Sequence, residues 1–272
     1  MSEAKETRGD PRRNDAGCEL WRGPRSVLWP VTLDPHADAP PEAYAQAASE
    51  GFDGVAWDLR GSTVASAEAL STVRKPPHGV PASACAVAWR CQSTHLETAV
   101  AELTAVIEES ARLGADCLCV TLPPIACTAG PAGEVHPSDE FHGYQQHLNF
   151  AAALLHELRL RAAGSGVALA MEPAAGGGLL SPVELRELID GAYSGSVGAC
   201  LDVARVSKIG APPDWIETLR HRIVAVRLPH DTTPGLELDA VLVALTRTRY
   251  DGTIICPCAA WVDRCREAMR GA

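Results

Sequence analysis

The chain has 272 residues, 46% of them apolar, and a formal net charge of −10. Its 24 basic residues against 34 acidic ones argue against a nucleic-acid partner, because phosphate contacts need clustered Lys and Arg. No stretch reaches the roughly 20 apolar residues of a membrane span, and residues 1–17 lack the apolar segment of a secretory signal. We therefore expect a cytoplasmic protein with neither a nucleic-acid nor a membrane partner.

The first 22 residues are rich in charged and small polar types, which predicts a disordered tail. Residues 23–272 are then expected to form one domain. Within that domain, short apolar runs of six to eight residues alternate with longer amphipathic stretches, and such runs are typical of strands buried on both faces. The runs are Ser26–Leu33, Gly54–Leu59, Ala82–Trp89, Cys117–Leu122, Val167–Pro173, Val197–Val203, Ile223–Pro229 and Thr253–Cys258.

The stretches between these runs show helical spacing. Thr98–Leu113 places apolar residues on one face of a helix. The same spacing of apolar residues occurs in Glu140–Ala163 and Leu236–Leu245. Ser181 followed by Pro182 predicts a capped helix start, and Pro212 predicts another.

Eight strands that alternate with helices imply parallel pairing with right-handed crossovers. Both a doubly wound open sheet and a closed (β/α)8 TIM barrel fit that order. The count of eight and the usual barrel length of about 250 residues favour the barrel. No Gly-x-Gly-x-x-Gly follows the first run, which weakens the dinucleotide-binding alternative.

The carboxyl ends of barrel strands form the active site of such folds, so the residues there are the candidates for function. On three runs a small residue precedes a charged one on the same face: Ala170 before Glu172, Cys200 before Asp202, and Ala225 before Arg227. This regularity predicts one shared polar site. The full candidate set is Trp29, Asp58, Trp89, Glu172, Asp202, Arg205, Arg227 and His230.

Six short motifs in register resemble the xylose isomerase-like TIM barrels, a superfamily that includes sugar isomerases and epimerases. They are Gly51–Val55, Leu113–Ala115, Ala170–Pro173, Cys200–Val203, Arg222–Val226 and Tyr250–Gly252. The resemblance implies a sugar or sugar-phosphate substrate and self-association into a homo-oligomer. It also implies a divalent metal (Mn, Mg, Co or Zn) held by Glu, Asp, His and Glu on strands 5 to 8, with a further His three residues after the Asp.

Only Glu172 and Asp202 match that ligand set. Arg227 occupies the strand 7 His position, and Arg205 occupies that of the further His. The strand 8 Glu falls on Pro257, or on Cys256 if the register shifts by one residue. We therefore predict no cofactor from the residues themselves, and any metal would rest on Glu172 and Asp202.

An arginine cannot ligate a metal, and its charge repels a dication. We hypothesise that Arg227 takes the metal position and bridges Glu172 and Asp202. Glu172, Asp202, Arg227 and His230 are then the candidate catalytic residues. The candidate substrate-binding residues are Arg205, Trp29, Asp58 and Trp89.

Two functions remain open on these residues. The first is a sugar isomerase or epimerase in which carboxylates handle protons while arginines stabilise negative charge or hold an anionic sugar derivative. The second is an inactive barrel that binds a small molecule or acts as a scaffold. The charged cluster would then be a structural ion pair in which the charged groups at the mouth of the barrel neutralise one another.

Overall fold

The computed structural model describes residues 26–32, 42–60, 70–71, 73, 84–125, 143–173, 181–229 and 238–270. Eight parallel strands close into a barrel in sequential order, which confirms the (β/α)8 prediction over the open sheet. Each observed strand lies within three residues of its predicted bounds. The strands are β1 Ser26–Thr32, β2 Gly54–Asp58, β3 Ala84–Arg90, β4 Cys117–Thr121, β5 Ala168–Glu172, β6 Val197–Asp202, β7 Ile223–Arg227 and β8 Thr253–Ile255.

Helices cover the outside of the barrel. They are α1 Ala43–Ser49, α2 Leu96–Leu113, α3 Tyr144–Ser165, α4 Pro182–Gly191, α5 Val203–Val206, α6 Pro212–Leu219, α7 Leu238–Arg247 and α8 Ala260–Arg270. The predicted cap of α4 forms, since the Ser181 hydroxyl accepts from the Glu184 backbone N–H at 3.2 Å. The predicted tail and residues 140–142 of the Glu140–Ala163 stretch lie outside the described residues.

Small side chains fill the interior of the barrel. The inward cluster contains Leu28, Ala56, Ala86, Ala88, Cys117, Cys119, Ala170, Cys200, Ala225 and Ile255, all fully buried. Bulkier residues face the helices, so that β3 turns Ala86 and Ala88 inward while Val87 and Trp89 pack outside. The alternation along each strand therefore separates a barrel interior filled by side chains from an outer face that packs against the helices.

The cysteines described by the structure are free thiols. In the same part of the chain, no helix combines the length and the apolar character that crossing a membrane requires.

Candidate functional site

Three carboxylates and one arginine end their strands on the inward face of the barrel. Asp58 follows Ala56 on β2, Glu172 follows Ala170 on β5, and Arg227 follows Ala225 on β7. Asp202 closes β6 directly opposite Arg227 in the parallel register. The structure thus gathers the charged part of the predicted set at one end of the barrel, where α/β barrels place their sites.

Arg60, two residues beyond β2, lies at the centre of this cluster. Its Nη1 donates to both carboxylate oxygens of Glu172, at 2.6 and 2.9 Å, and lies 3.4 Å from Asp202 Oδ2. Its Nε and Nη2 donate to the two oxygens of Asp58, at 3.0 and 2.7 Å. One guanidinium therefore joins all three carboxylates, and its Nε/Nη2 edge forms the two-pronged bond that suits a carboxylate.

Arg205 provides a second cation for the same carboxylates. Its Nη1 lies 2.9 Å from Glu172 Oε1, and its Nε lies 3.7 Å from Asp202 Oδ2. The one-turn helix α5 sets this position, because Asp202 caps it by accepting from the Arg205 backbone N–H at 3.1 Å. The helix α5 was not predicted from the sequence, although an Asp at a strand end followed by a short apolar turn is a cap signal.

Arg227 does not bridge Glu172 and Asp202, so that hypothesis is wrong. Its Nη1 pairs instead with Asp58 Oδ2 at 3.2 Å, and the bridge is made by Arg60 and Arg205. The Nε and Nη2 groups of Arg227 are buried, and among the described residues they have no hydrogen-bond partner. Buried donors without a partner are costly, by about 1–3 kcal/mol each, so these two groups stand out in the site.

Burial and opposing charges set the proton affinities here. Burial raises the pKa of Glu172, and the neighbouring charge of Asp202 raises it further, against the lowering effect of the arginines. Burial would also raise the pKa of Asp58, but the hydrogen bonds from Arg60 and the charge of Arg227 lower it below its ordinary value. Glu172 thus takes up a proton more readily than Asp58.

The residues present do not fit the divalent cation that the resemblance implies. No group of three or more His, Cys, Asp or Glu in the described part of the chain is arranged to hold a metal. The two matching carboxylates are instead bonded to guanidinium nitrogens, and Arg205 and Arg227 stand where the resemblance implies His. A dication among three arginines would be repelled rather than ligated.

Strand 8 offers no carboxylate to replace the missing ligands. Ile255 belongs to the interior cluster, whereas Cys256 packs in the outer cluster with Cys265 of α8. Cys256 therefore faces away from the site, and Pro257 lies two residues beyond β8, outside the regular strand. Proline has no side-chain donor for a metal or a substrate.

Two predicted substrate contacts are wrong, because both tryptophans face the helices. Trp89 is fully buried and its indole N–H donates to Glu102 of α2 at 2.6 Å. Trp29 packs with the outer cluster and stacks on Phe52, with ring centroids 6.5 Å apart. The alternation of Ala86 and Ala88 on β3 was the signal that Trp89 points outward.

Arg60 is a site residue that was not predicted from the sequence. It follows Asp58 by two positions in an irregular segment, where strand periodicity no longer assigns a face. The excess of buried carboxylates over predicted cations was the available signal, since such groups need partners. His230, a predicted catalytic residue, lies outside the described residues.

Comparison with solved structures finds sugar epimerases of the same fold. A D-psicose 3-epimerase from Clostridium cellulolyticum H10, solved with D-tagatose, has a TM-score of 0.63 at 14% identity, covering 85% of this chain and 84% of its own. A D-allulose 3-epimerase from Methylomonas sp., solved with D-allulose, has a TM-score of 0.61 at 15% identity, over 86% and 84% of the two chains.

The 3-keto-D-glucoside 4-epimerase of E. coli gives a TM-score of 0.58 at 14% identity and covers 90% of this chain and 97% of its own. Identities this low show a shared fold alone. No curated protein sequence matches the chain significantly. A family model described as xylose isomerase-like TIM barrel matches residues 44–270, and the chain therefore belongs to the xylose isomerase-like TIM barrel family.

Proposed function

We propose that this barrel binds a sugar or an anionic sugar derivative at the carboxyl ends of its strands without the help of a divalent cation. The observation that carries the proposal is the position of Arg60, whose Nη1 touches Glu172 and Asp202, the two residues that match metal ligands of the family. A guanidinium there supplies positive charge beside the carboxylates, and Nε and Nη2 of Arg227, which have no partner among the described residues, are donors for sugar oxygens in the same site.

The assignment of a sugar as the ligand is supported by the family and by two similar structures, which were solved with D-tagatose and D-allulose. Arg205 and Arg227 flank the same carboxylates and would favour an anionic derivative over a neutral sugar. Asp58 and Asp202 supply acceptors for sugar hydroxyls wherever Arg60 leaves an oxygen unshared.

Metal content and ligand binding together test this proposal. Protein purified without chelator is assayed for Mn, Mg, Co, Fe and Zn, in the wild type and in Glu172→Ala. Binding of D-tagatose, D-allulose and D-gluconate is then measured by calorimetry with and without EDTA. We expect no stoichiometric metal and binding that EDTA leaves unchanged. A stoichiometric metal that is lost in Glu172→Ala would overturn the proposal.

A second candidate function is isomerase or epimerase activity in which Glu172 moves the proton. The raised pKa of Glu172 favours this activity, because a carboxyl group whose pKa is shifted upward toward neutral pH can both accept and return a proton. Against it, two arginines hold the Glu172 carboxylate and Pro257 stands at the strand 8 Glu position. Exchange of substrate C–H for deuterium in D₂O, lost in Glu172→Gln, would establish this activity.

A further inference from the structure

The Arg227 guanidinium carries two buried N–H groups, Nε and Nη2, that none of the described residues uses. Its Nη1 is used by Asp58 at 3.2 Å, while Nε and Nη2 have no partner among the described residues. The residue is 7% exposed, and it is the last inward residue of β7. The two free donors lie on the same side of the planar guanidinium, and so they form one fork rather than two separate donors.

The chain uses this same edge on carboxylates at two other places. Arg60 donates from Nε and Nη2 to the two oxygens of Asp58, at 3.0 and 2.7 Å. Arg222 donates from Nε and Nη2 to Asp190, at 2.6 and 2.9 Å. The same edge therefore binds a carboxylate at these two arginines, and at Arg227 it has no partner among the described residues.

A second unpartnered polar group faces the same interior. Thr121 is the last residue of β4, pairs in register with Glu172, and is 1% exposed. Its hydroxyl has no hydrogen-bond partner among the described residues. A threonine hydroxyl both donates and accepts, which suits a sugar hydroxyl.

We propose that Arg227 is the carboxylate-binding fork of a sugar-acid site, with Thr121 as a hydroxyl contact in the same mouth. The ligand class is an aldonate or a uronate: a polyhydroxy chain or ring bearing one carboxylate. The inference rests on the proposed sugar site and narrows it to acids. A phosphate fits less well, because it brings a second negative charge to an edge whose neighbours are Asp58 and Asp202.

Calorimetry on the wild type tests the ligand class first. The probes are D-gluconate, D-glucuronate, D-gluconamide, D-glucose and D-glucose 6-phosphate. We expect D-gluconate or D-glucuronate to bind at least about 10-fold more tightly than the neutral sugars or the amide. Equal binding of acid and amide overturns the fork while the sugar site stands. Tightest binding of the phosphate also overturns the carboxylate assignment alone.

Substitution of the fork then locates the carboxylate. Arg227→Lys keeps the charge but removes the two-pronged geometry, and we expect it to weaken binding of the acid by about 10-fold or more. Arg222→Lys is the matched control, because it changes an arginine that makes the same fork at the other end of β7. Thr121→Val should weaken the binding of sugar acids and of neutral sugars to the same extent.

Each result separates this inference from the proposed function. Circular dichroism melting first shows that every variant is folded. Unchanged acid affinity in folded Arg227→Lys overturns the fork. Absence of binding by every probe to folded wild type overturns the proposed sugar site and the fork together.

Discussion

Arg60 donates from a single nitrogen to both carboxylate oxygens of Glu172, a residue 112 positions away in sequence. The Glu172 side chain is fully enclosed, and that of Arg60 is 12% exposed. A charged pair in such a place persists only because it is closely bonded, since burial penalises each charge separately. This contact connects β2 to β5 across the mouth of the barrel and fixes where a ligand oxygen can go.

Removal of Arg60 should be strongly destabilising. Arg60→Met leaves Glu172, Asp58 and Asp202 with too few cations, and we expect the free energy of unfolding in urea to fall by about 3–5 kcal/mol. Arg90→Met is the control, because Arg90 also ends a strand but is exposed. We expect that variant to stay within about 0.5 kcal/mol of the wild type.

A second substitution distinguishes lost charge balance from lost packing. Glu172→Gln in the Arg60→Met background removes the uncompensated charge and should recover part of the stability. If Arg60→Met lowers the free energy of unfolding by less than about 1 kcal/mol, the Arg60–Glu172 pair does not stabilise the mouth of the barrel.

The barrel itself could be predicted because its signals are local and repeated. Buried parallel strands produce short apolar runs, and the small residues that alternate with larger ones identify the inward face. Ala170 and Glu172 on β5, like Cys200 and Asp202 on β6, follow that alternation to the last residue of the strand. Two of the charged positions were therefore predictable without any tertiary information.

The ion-pair partners could not be predicted, because they depend on distances between strands. Arg60 lies beyond the end of β2, and nothing local shows that it turns toward Glu172 rather than solvent. For the same reason the partner of Arg227 was predicted wrongly. Arg227 pairs with Asp58, which is distant in sequence. Guanidinium groups reach over several ångströms, so strand register alone leaves several carboxylates within range.

Trp89 should matter for stability and not for ligand binding. Trp89→Phe removes the indole N–H that donates to Glu102 at 2.6 Å, while the Gln92 backbone N–H and the Cys91 thiol still donate to that carboxylate. We expect a loss of about 1–2 kcal/mol in the free energy of unfolding. The affinity for D-gluconate should stay unchanged, and a large loss of affinity in the folded variant would restore Trp89 to the site.

Gly252 is required by close packing before β8. A Cβ at this position would lie 2.5 Å from the backbone oxygen of Val224 and 2.6 Å from the Tyr250 hydroxyl oxygen. That hydroxyl donates to the Thr253 carbonyl at 2.6 Å, so it has little freedom to move. We expect Gly252→Ala to lower the free energy of unfolding by about 1–3 kcal/mol in urea titrations.

Gly164 gives the matched control for that substitution. It lies in α3, and a Cβ there would meet nothing within 4 Å. Gly164→Ala should raise the free energy of unfolding by up to about 1 kcal/mol, because alanine is the better helix former. A Gly252→Ala variant as stable as the wild type would show that Tyr250 can shift without cost.

His147 should make the fold sensitive to acid. It lies on α3, is 1% exposed, and burial lowers its pKa from 6.5 to about 4, against the opposite effect of a hydrogen bond with the Pro123 backbone. On acidification the unfolded chain takes up this proton first, so the stabilisation is complete above pH 6.5 and is lost as the pH falls toward 4. We expect protonation of His147 to lower the free energy of unfolding by about 3 kcal/mol between pH 6.5 and pH 4.

Urea unfolding at a series of pH values checks this expectation. The difference in unfolding free energy between the wild type and His147→Gln should narrow or reverse as the pH falls, because the variant has no such proton to bind. His156→Gln is the control on the same helix, since His156 is exposed, and its curve should run parallel to that of the wild type. Parallel curves for His147→Gln as well would assign the acid sensitivity to other groups and show that His147 is protonated in the folded state at little cost.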